Sequence, residues 1–218
     1  MKDRDIHTAV RILRREVPKW ETPIVTLMAE TYESPFRVLI SCILSLRTQD
    51  STTAKASHRL FAVADTPQAM VKLSAKRIEK LIYPVGFYKT KAKNILEICR
   101  TLTDEHCGKV PDEIDDLLKF KGVGRKTANL VVTLGYQKPG ICVDTHVHRI
   151  SNRWGYINTK TPEKTEIALR AKLPKQYWIE YNDLLVSFGQ HLCRPISPVC
   201  SQCPVKKYCK QIGVTLRR

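Results

Sequence analysis

The sequence predicts an all-α fold, and three observations carry that prediction. Capping residues and helix-starting prolines cut the chain at short intervals, and apolar residues recur at helical spacing between the cuts. No stretch sustains the period-two alternation of a strand. About ten helices with short connections follow. At 218 residues the chain is long enough for one large domain or two small lobes with real cores.

The elements follow in order. Ser34-Pro35 places a capping hydroxyl before a proline at the first helical position, opening an apolar helix from Phe36 to about Arg47. Asp50 is expected to cap the next helix, and Thr66-Pro67 and Ser74 two short ones. Pro111 opens a helix over Asp112 to Phe120, and Thr161-Pro162-Glu163 repeats the cap-plus-proline signal. Trp178, Tyr181, Leu185, Phe188 and Leu192 fall on one face of a long helix, a core stripe rather than a cofactor box.

Composition is ordinary for a folded protein, with 43% hydrophobic and 27% charged residues, but the charge balance is not. Lys and Arg number 37 against 21 Asp and Glu, a formal net charge of +16. Such a field repels itself in the folded state and is what a polyanion partner would require, nucleic acid or an anionic membrane surface. The longest apolar stretch, Val38 to Leu46, is interrupted by Ser41 and Ser45 and is far short of a membrane span. Met1-Lys2-Asp3-Arg4-Asp5 lacks the apolar region of a secretory leader. The expected location is therefore the reducing cytoplasm, beside the nucleoid in a prokaryote.

Eight cysteines in a reducing compartment need a reading other than disulfides. Cys42, Cys99, Cys107 and Cys142 are scattered and read as small buried hydrophobes. Cys193, Cys200, Cys203 and Cys209 form C-x6-C-x2-C-x5-C, a four-cysteine metal pattern whose spacing alone leaves zinc and iron–sulfur both open. No acidic residue follows Asp183, whereas Arg194, Lys206, Lys207, Lys210, Arg217 and Arg218 all do. A basic run around a metal-type cluster, with no counter-charge, reads as a phosphate-facing surface.

The chemistry-bearing loop is Phe120-Lys121-Gly122-Val123-Gly124-Arg125-Lys126-Thr127. Two glycines between helical segments turn the chain tightly and expose successive N–H groups to a phosphate oxygen. The wider pattern I-x-x-L-x-x-x-x-G-V-G-R-K-T-A is a helix-hairpin-helix signature. Lys126 stands among Lys121 and Arg125 at a helix N-terminus, surroundings expected to lower an amine's pKa toward the neutral form a Schiff-base nucleophile needs. Downstream, Asp144 follows an apolar stretch and opens a helix, where an N-cap is its simplest duty and is compatible with a functional one. His146 and His148, two apart on a helix, do not converge on one ion and are expected in structural or phosphate-contacting roles.

On these residues the chain resembles the endonuclease III family, the iron–sulfur branch of the helix-hairpin-helix DNA glycosylases. The match rests on Gly122-Val123-Gly124-Arg125-Lys126-Thr127-Ala128, on Val143-Asp144-Thr145-His146-Val147 with Arg149, and on the four clustered cysteines. Ile82 with Gly86 and Lys91-Ala92, and Leu44-Ser45 with Asp50, extend it along nearly the whole chain.

The resemblance implies two helical lobes with a DNA-binding groove between them. One is a six-helix lobe at residues 28–138 with the hairpin; the other joins 1–27 to 139–218 and holds a [4Fe–4S] cluster on Cys193, Cys200, Cys203 and Cys209. It implies a bifunctional DNA glycosylase/AP lyase of base excision repair, acting as a monomer on double-stranded DNA that carries an oxidised pyrimidine or an abasic site. Lys126 would attack C1′ and Asp144 would activate it. Lys121, Gly122, Val123, Gly124, Arg125, Gln49, Thr145, His146, Lys206 and Lys207 would contact DNA.

The target nucleotide would be flipped out of the duplex. At the positions that hold the resulting gap the sequence departs from the family, with Arg47 where glutamine is usual and Phe87 where leucine is frequent. Phe87 is a larger wedge, and Arg47 favours guanine acceptors if it reads a base edge. Two alternatives stay open: the same fold acting on uracil, thymine mismatches or an oxidised purine, and a non-catalytic iron–sulfur DNA-binding protein.

Overall fold

The computed structural model describes residues 1–20 and 34–218, in which eleven α-helices and no strand are found. They are α1 (Asp3–Glu16), α2 (Pro35–Ser45), α3 (Asp50–Phe61), α4 (Pro67–Met70), α5 (Ala75–Ile82) and α6 (Tyr88–Glu105). After these come α7 (Ile114–Leu117), α8 (Arg125–Leu130), α9 (Thr145–Arg153), α10 (Pro162–Lys172) and α11 (Tyr181–His191). The chain forms two compact units, Met1–Pro23 with Pro139–Arg218, and Ile24–Lys138. The boundary expected at 27/28 lies outside the described residues.

In the continuous unit, α2 is the central helix. Phe36 and every residue from Val38 to Leu44 are buried, and α3, α6 and α8 pack around it. The helix α8 continues as a wide π turn over Val131–Gly135. Gly135 lets that turn meet the start of α2, since a Cβ there would stand 3.0 Å from Pro35 Cα. The caps of α4 and α5 form as expected, Thr66 Oγ1 accepting from Ala69 N–H and Ser74 Oγ from Arg77 N–H, each at 3.2 Å.

In the discontinuous unit, α1 buries Ile6, Ala9, Val10 and Leu13, one face at helical spacing. These belong to one core with Val147 and Ile150 of α9, Trp154 just after it, and Tyr181, Leu185 and Phe188 of α11. Thr161 caps α10, accepting from Lys164 N–H at 3.3 Å.

Several expectations are corrected. Asp50 is the first residue of α3 and Gln49 its N-cap, so the carboxylate acts on the helix dipole from the first turn instead of capping. The helix expected over Asp112 to Phe120 shortens to α7, because Asp112 and Glu113 are drawn to Lys138 at 2.9 and 2.8 Å. The stripe helix begins at Tyr181; Trp178 precedes it, with its indole N–H donating to Leu173 O at 2.8 Å. The apolar helix stops at Ser45, and Arg47 lies beyond it in a turn. Of the scattered cysteines, Cys42, Cys99 and Cys142 are buried, but Cys107 is exposed in a left-handed turn after α6.

Candidate functional site

The hairpin is built as the sequence implied. From α7 the chain passes through a turn in which Val123 N–H donates to Phe120 O at 3.1 Å, and Gly124 is the N-cap residue of α8. Gly122 has φ +83, the left-handed region that favours glycine, and a Cβ there would lie 2.8 Å from the end of the Asn94 side chain, which would have to move aside. Gly124 is different. Its φ is −95 and a Cβ there would meet nothing within 4 Å, so the fold itself does not demand glycine. Val123 is the buried anchor between them.

Lys121, Gly122, Gly124, Arg125 and Lys126 are all exposed along this turn and first helical turn. Lys121 reaches Glu97 at 3.6 Å, an exposed pair of the kind worth little. The charge of Lys126 is felt at the Cys42 thiol of α2, which burial nevertheless pushes up to about 12.

In the other unit, Asp144 is the N-cap of α9 and is 9% exposed. Its Oδ1 accepts both His146 N–H at 2.8 Å and Val147 N–H at 2.9 Å, which fixes the carboxylate at a positive helix end. Thr145 is exposed beside it. The two histidines part company, as their spacing implied. His148 Nδ1 bonds Thr165 Oγ1 at 2.7 Å, while His146 lies against Gly189 and bonds Arg149 Nη2 at 3.1 Å. A Cβ on residue 189 would stand 2.2 Å from the His146 ring, so that glycine makes room for it.

Arg47 and Phe87 are brought together. Both are exposed, Phe87 by 62%, and the Arg47 guanidinium sits 5.6 Å from the centre of the Phe87 ring. Both backbones are left-handed, φ 53 and 59, an uncommon region for side chains of this size. Gln49 is exposed two residues on.

The four clustered cysteines line one small cavity with Arg153, Trp154, Phe188 and Leu192. All are free thiols, and among the described residues no three metal-binding side chains group around a single-ion position. Burial pushes the thiols of Cys193, Cys203 and Cys209 up, Cys203 to about 12, while Arg153 pulls Cys193 the other way. Lys206 and Lys207 are exposed on a short turn between Cys203 and Cys209.

Sequence reasoning missed the cations that hold these loops. Arg153 donates to Arg194 O at 2.6 Å, to Pro195 O and to Cys193 Sγ at 3.6 Å, and Arg149 donates to Cys193 O at 3.0 Å. Lys91 is a third such cation. Its position on the buried face of α6, with Ala92, Ile95 and Ile98, was the available signal.

An all-helical protein with a glycine-turned helical hairpin, a strong positive charge and a cysteine-lined cavity has the parts of a DNA-backbone-binding helix-hairpin-helix protein. The family model described as "HhH-GPD superfamily base excision DNA repair protein" matches residues 40–175, and the chain belongs to that superfamily. It is 49% identical over 176 residues to Endonuclease III of Thermotoga maritima, which covers 81% of this chain and 83% of that protein. It is 43% identical over 186 residues to the chloroplastic Endonuclease III homolog 1 of Arabidopsis thaliana, covering 81% of this chain and 49% of that protein. Among solved structures, "Structure of a Trapped Endonuclease III-DNA Covalent Intermediate: Estranged-Adenine Complex" matches with TM-score 0.84 at 32% identity, covering 97% of each chain.

Proposed function

We propose that the chain is a DNA glycosylase of base excision repair with AP-lyase activity, acting on oxidised pyrimidines in double-stranded DNA. Similarity to Endonuclease III over most of both chains carries the reaction class. The single observation that carries the residue-level reading is the placement of Lys126, an exposed amine in the first turn of the hairpin's second helix.

The chemistry follows from that amine. The nitrogen of Lys126 bonds to C1′ as the glycosidic bond breaks, and the departing base takes up a proton. Asp144 accepts the ammonium proton and stabilises positive charge on the sugar, its carboxylate held by the two N–H groups of α9. The proton held by Asp144 passes to O4′ as the C1′–O4′ bond opens, giving a protonated imine that acidifies the C2′ protons. Loss of one expels the 3′ phosphate, and hydrolysis of the imine returns the free amine.

Gly122, Val123, Gly124 and Arg125 bind the DNA backbone. Gly124 supports this reading, since a glycine the fold does not need is what a close phosphate approach would use. Thr145, His146, Lys206 and Lys207 add contacts, and Arg47, Gln49 and Phe87 fill the gap left by the extruded nucleotide. We assign the two functional lobes to residues 28–138 and to 1–27 with 139–218, working as a monomer. Among the described residues no helix is long and apolar enough to cross a membrane.

Cys193, Cys200, Cys203 and Cys209 would hold a [4Fe–4S] cluster. All four line one cavity, as ligands of a shared metal group would, and the likeness to Endonuclease III favours the cluster over zinc. When bound, the cluster would supply metal–thiolate cross-links that tie down a segment built of short turns.

The test is a panel of lesion duplexes with the wild-type protein and Lys126→Gln. Strand cleavage at oxidised pyrimidines is expected to fall at least about a thousandfold in the variant, with DNA affinity changed by no more than a few-fold. Equal loss of affinity and cleavage would reduce Lys126 to a phosphate contact.

A further inference from the structure

Behind Arg47 and Phe87 the structure places a buried cation that the mechanism does not use. Lys91, on the inner face of α6, is only 6% exposed. Its ammonium donates to Leu44 O at 2.8 Å, to Leu46 O at 2.6 Å and to Thr48 Oγ1 at 3.2 Å. Two of these acceptors flank the end of α2 and the third follows Arg47. Thr48 Oγ1 also accepts from Gly86 N–H at 3.2 Å, the residue before Phe87. A Cβ on residue 86 would stand 2.6 Å from Arg47 O, so the two turns touch backbone to backbone. One ammonium and one hydroxyl therefore join the turn bearing Arg47 to the turn bearing Phe87.

Donating to the carbonyls at the end of α2 stabilises the fold, but that task does not by itself call for a buried charge. The pocket is on the apolar stripe of α6, every partner is neutral, and an unbranched apolar side chain would fill the slot without burying a charge. What lysine adds is three directed bonds to a segment where regular helix has stopped. Burial brings the ammonium down to about 8, the mark of a charge held for its bonds and not for an ion pair. Two bulky residues with left-handed backbones persist only where their surroundings over-determine them.

We infer that Lys91 is a positioning residue for base removal: bonded to Leu44 O, Leu46 O and Thr48 Oγ1, it holds Arg47 and Phe87 together as one element for insertion into the duplex. The inference rests on the reading of those two side chains as gap-holding residues. A duplex lesion needs that element to extrude its nucleotide. An abasic site in single-stranded DNA has no stack to open and does not.

The experiment uses the full-length protein and the variants Lys91→Met and Thr48→Val. Single-turnover base release is measured from a duplex with a paired oxidised pyrimidine, and borohydride trapping on a single-stranded abasic oligonucleotide. Lys91→Met is expected to lower base release at least about tenfold more than trapping, the scale of one lost charge-assisted hydrogen bond. Thr48→Val is expected to shift the same ratio in the same direction by a smaller factor. It provides the reading if Lys91→Met does not fold. Equal losses in both assays, or no loss in either, would overturn the inference. A wild-type protein that traps on abasic DNA yet releases base from no duplex would instead fail the substrate reading, and this inference with it.

Discussion

Among the described residues, two irregular loops are each fastened by a buried cation reaching from a helix to backbone carbonyls. In the continuous unit, Lys91 of α6 secures the turn after α2. In the discontinuous unit, Arg153 of α9 holds the start of the cysteine segment by its guanidinium. Its carbonyl takes the other end, accepting from Ile212 N–H at 3.0 Å and from the Cys209 thiol at 3.6 Å. The difference is in what each clamp holds. Lys91 secures two turns whose side chains point outward, whereas Arg153 straps both ends of a closed cysteine loop. Lysine offers three rotatable donors and can shed a proton; arginine offers a planar fork and in general does not. A helix-borne cation can thus stand in for secondary structure in an irregular loop.

The strongest way to break the parallel is Arg153→Met. It leaves the Arg194 and Pro195 carbonyls without their donor, so stability is expected to fall by about 3 kcal/mol, with iron per purified chain falling alongside. Thermal unfolding and iron content check this. Unchanged iron and stability would mean the cysteine segment is held by its own turns and the comparison is false.

A smaller effect sharpens the contrast through pH. Lys91 titrates at about 8 in the folded protein against 10.5 ordinarily. Between those values the unfolded chain keeps a proton that the folded chain has released, so this group's contribution to stability rises with pH across that window. Below about pH 8 it is charged in both states and its burial penalty is constant. Denaturant unfolding at several pH values should show a rise in wild type that Lys91→Met lacks. Parallel curves for the two proteins would contradict the assigned burial.

Much of this was legible in the sequence because it is local. The caps at Thr66, Ser74 and Thr161, the apolar run of α2 and the hairpin around Gly122 are set by residues a few positions apart. What was missed depends on tertiary partners. Asp112 and Glu113 read as the start of a helix until Lys138 claims them. Cys107 reads as buried until the chain turns outward after α6. Lys91 and Arg153 read as two among 37 basic residues, because their acceptors are carbonyls about forty residues distant in sequence. Family resemblance named the residues at the surface of the site, and only the fold reveals what holds them.

The central claim is an amine bonding to deoxyribose. The measurement that meets it head-on is borohydride reduction of the protein on duplex DNA with an abasic site, followed by peptide mapping of any adduct. One covalent complex is expected, mapped to Lys126 and absent from Lys126→Ala. An adduct on a different lysine, or none while the wild-type protein still binds the DNA, would contradict it.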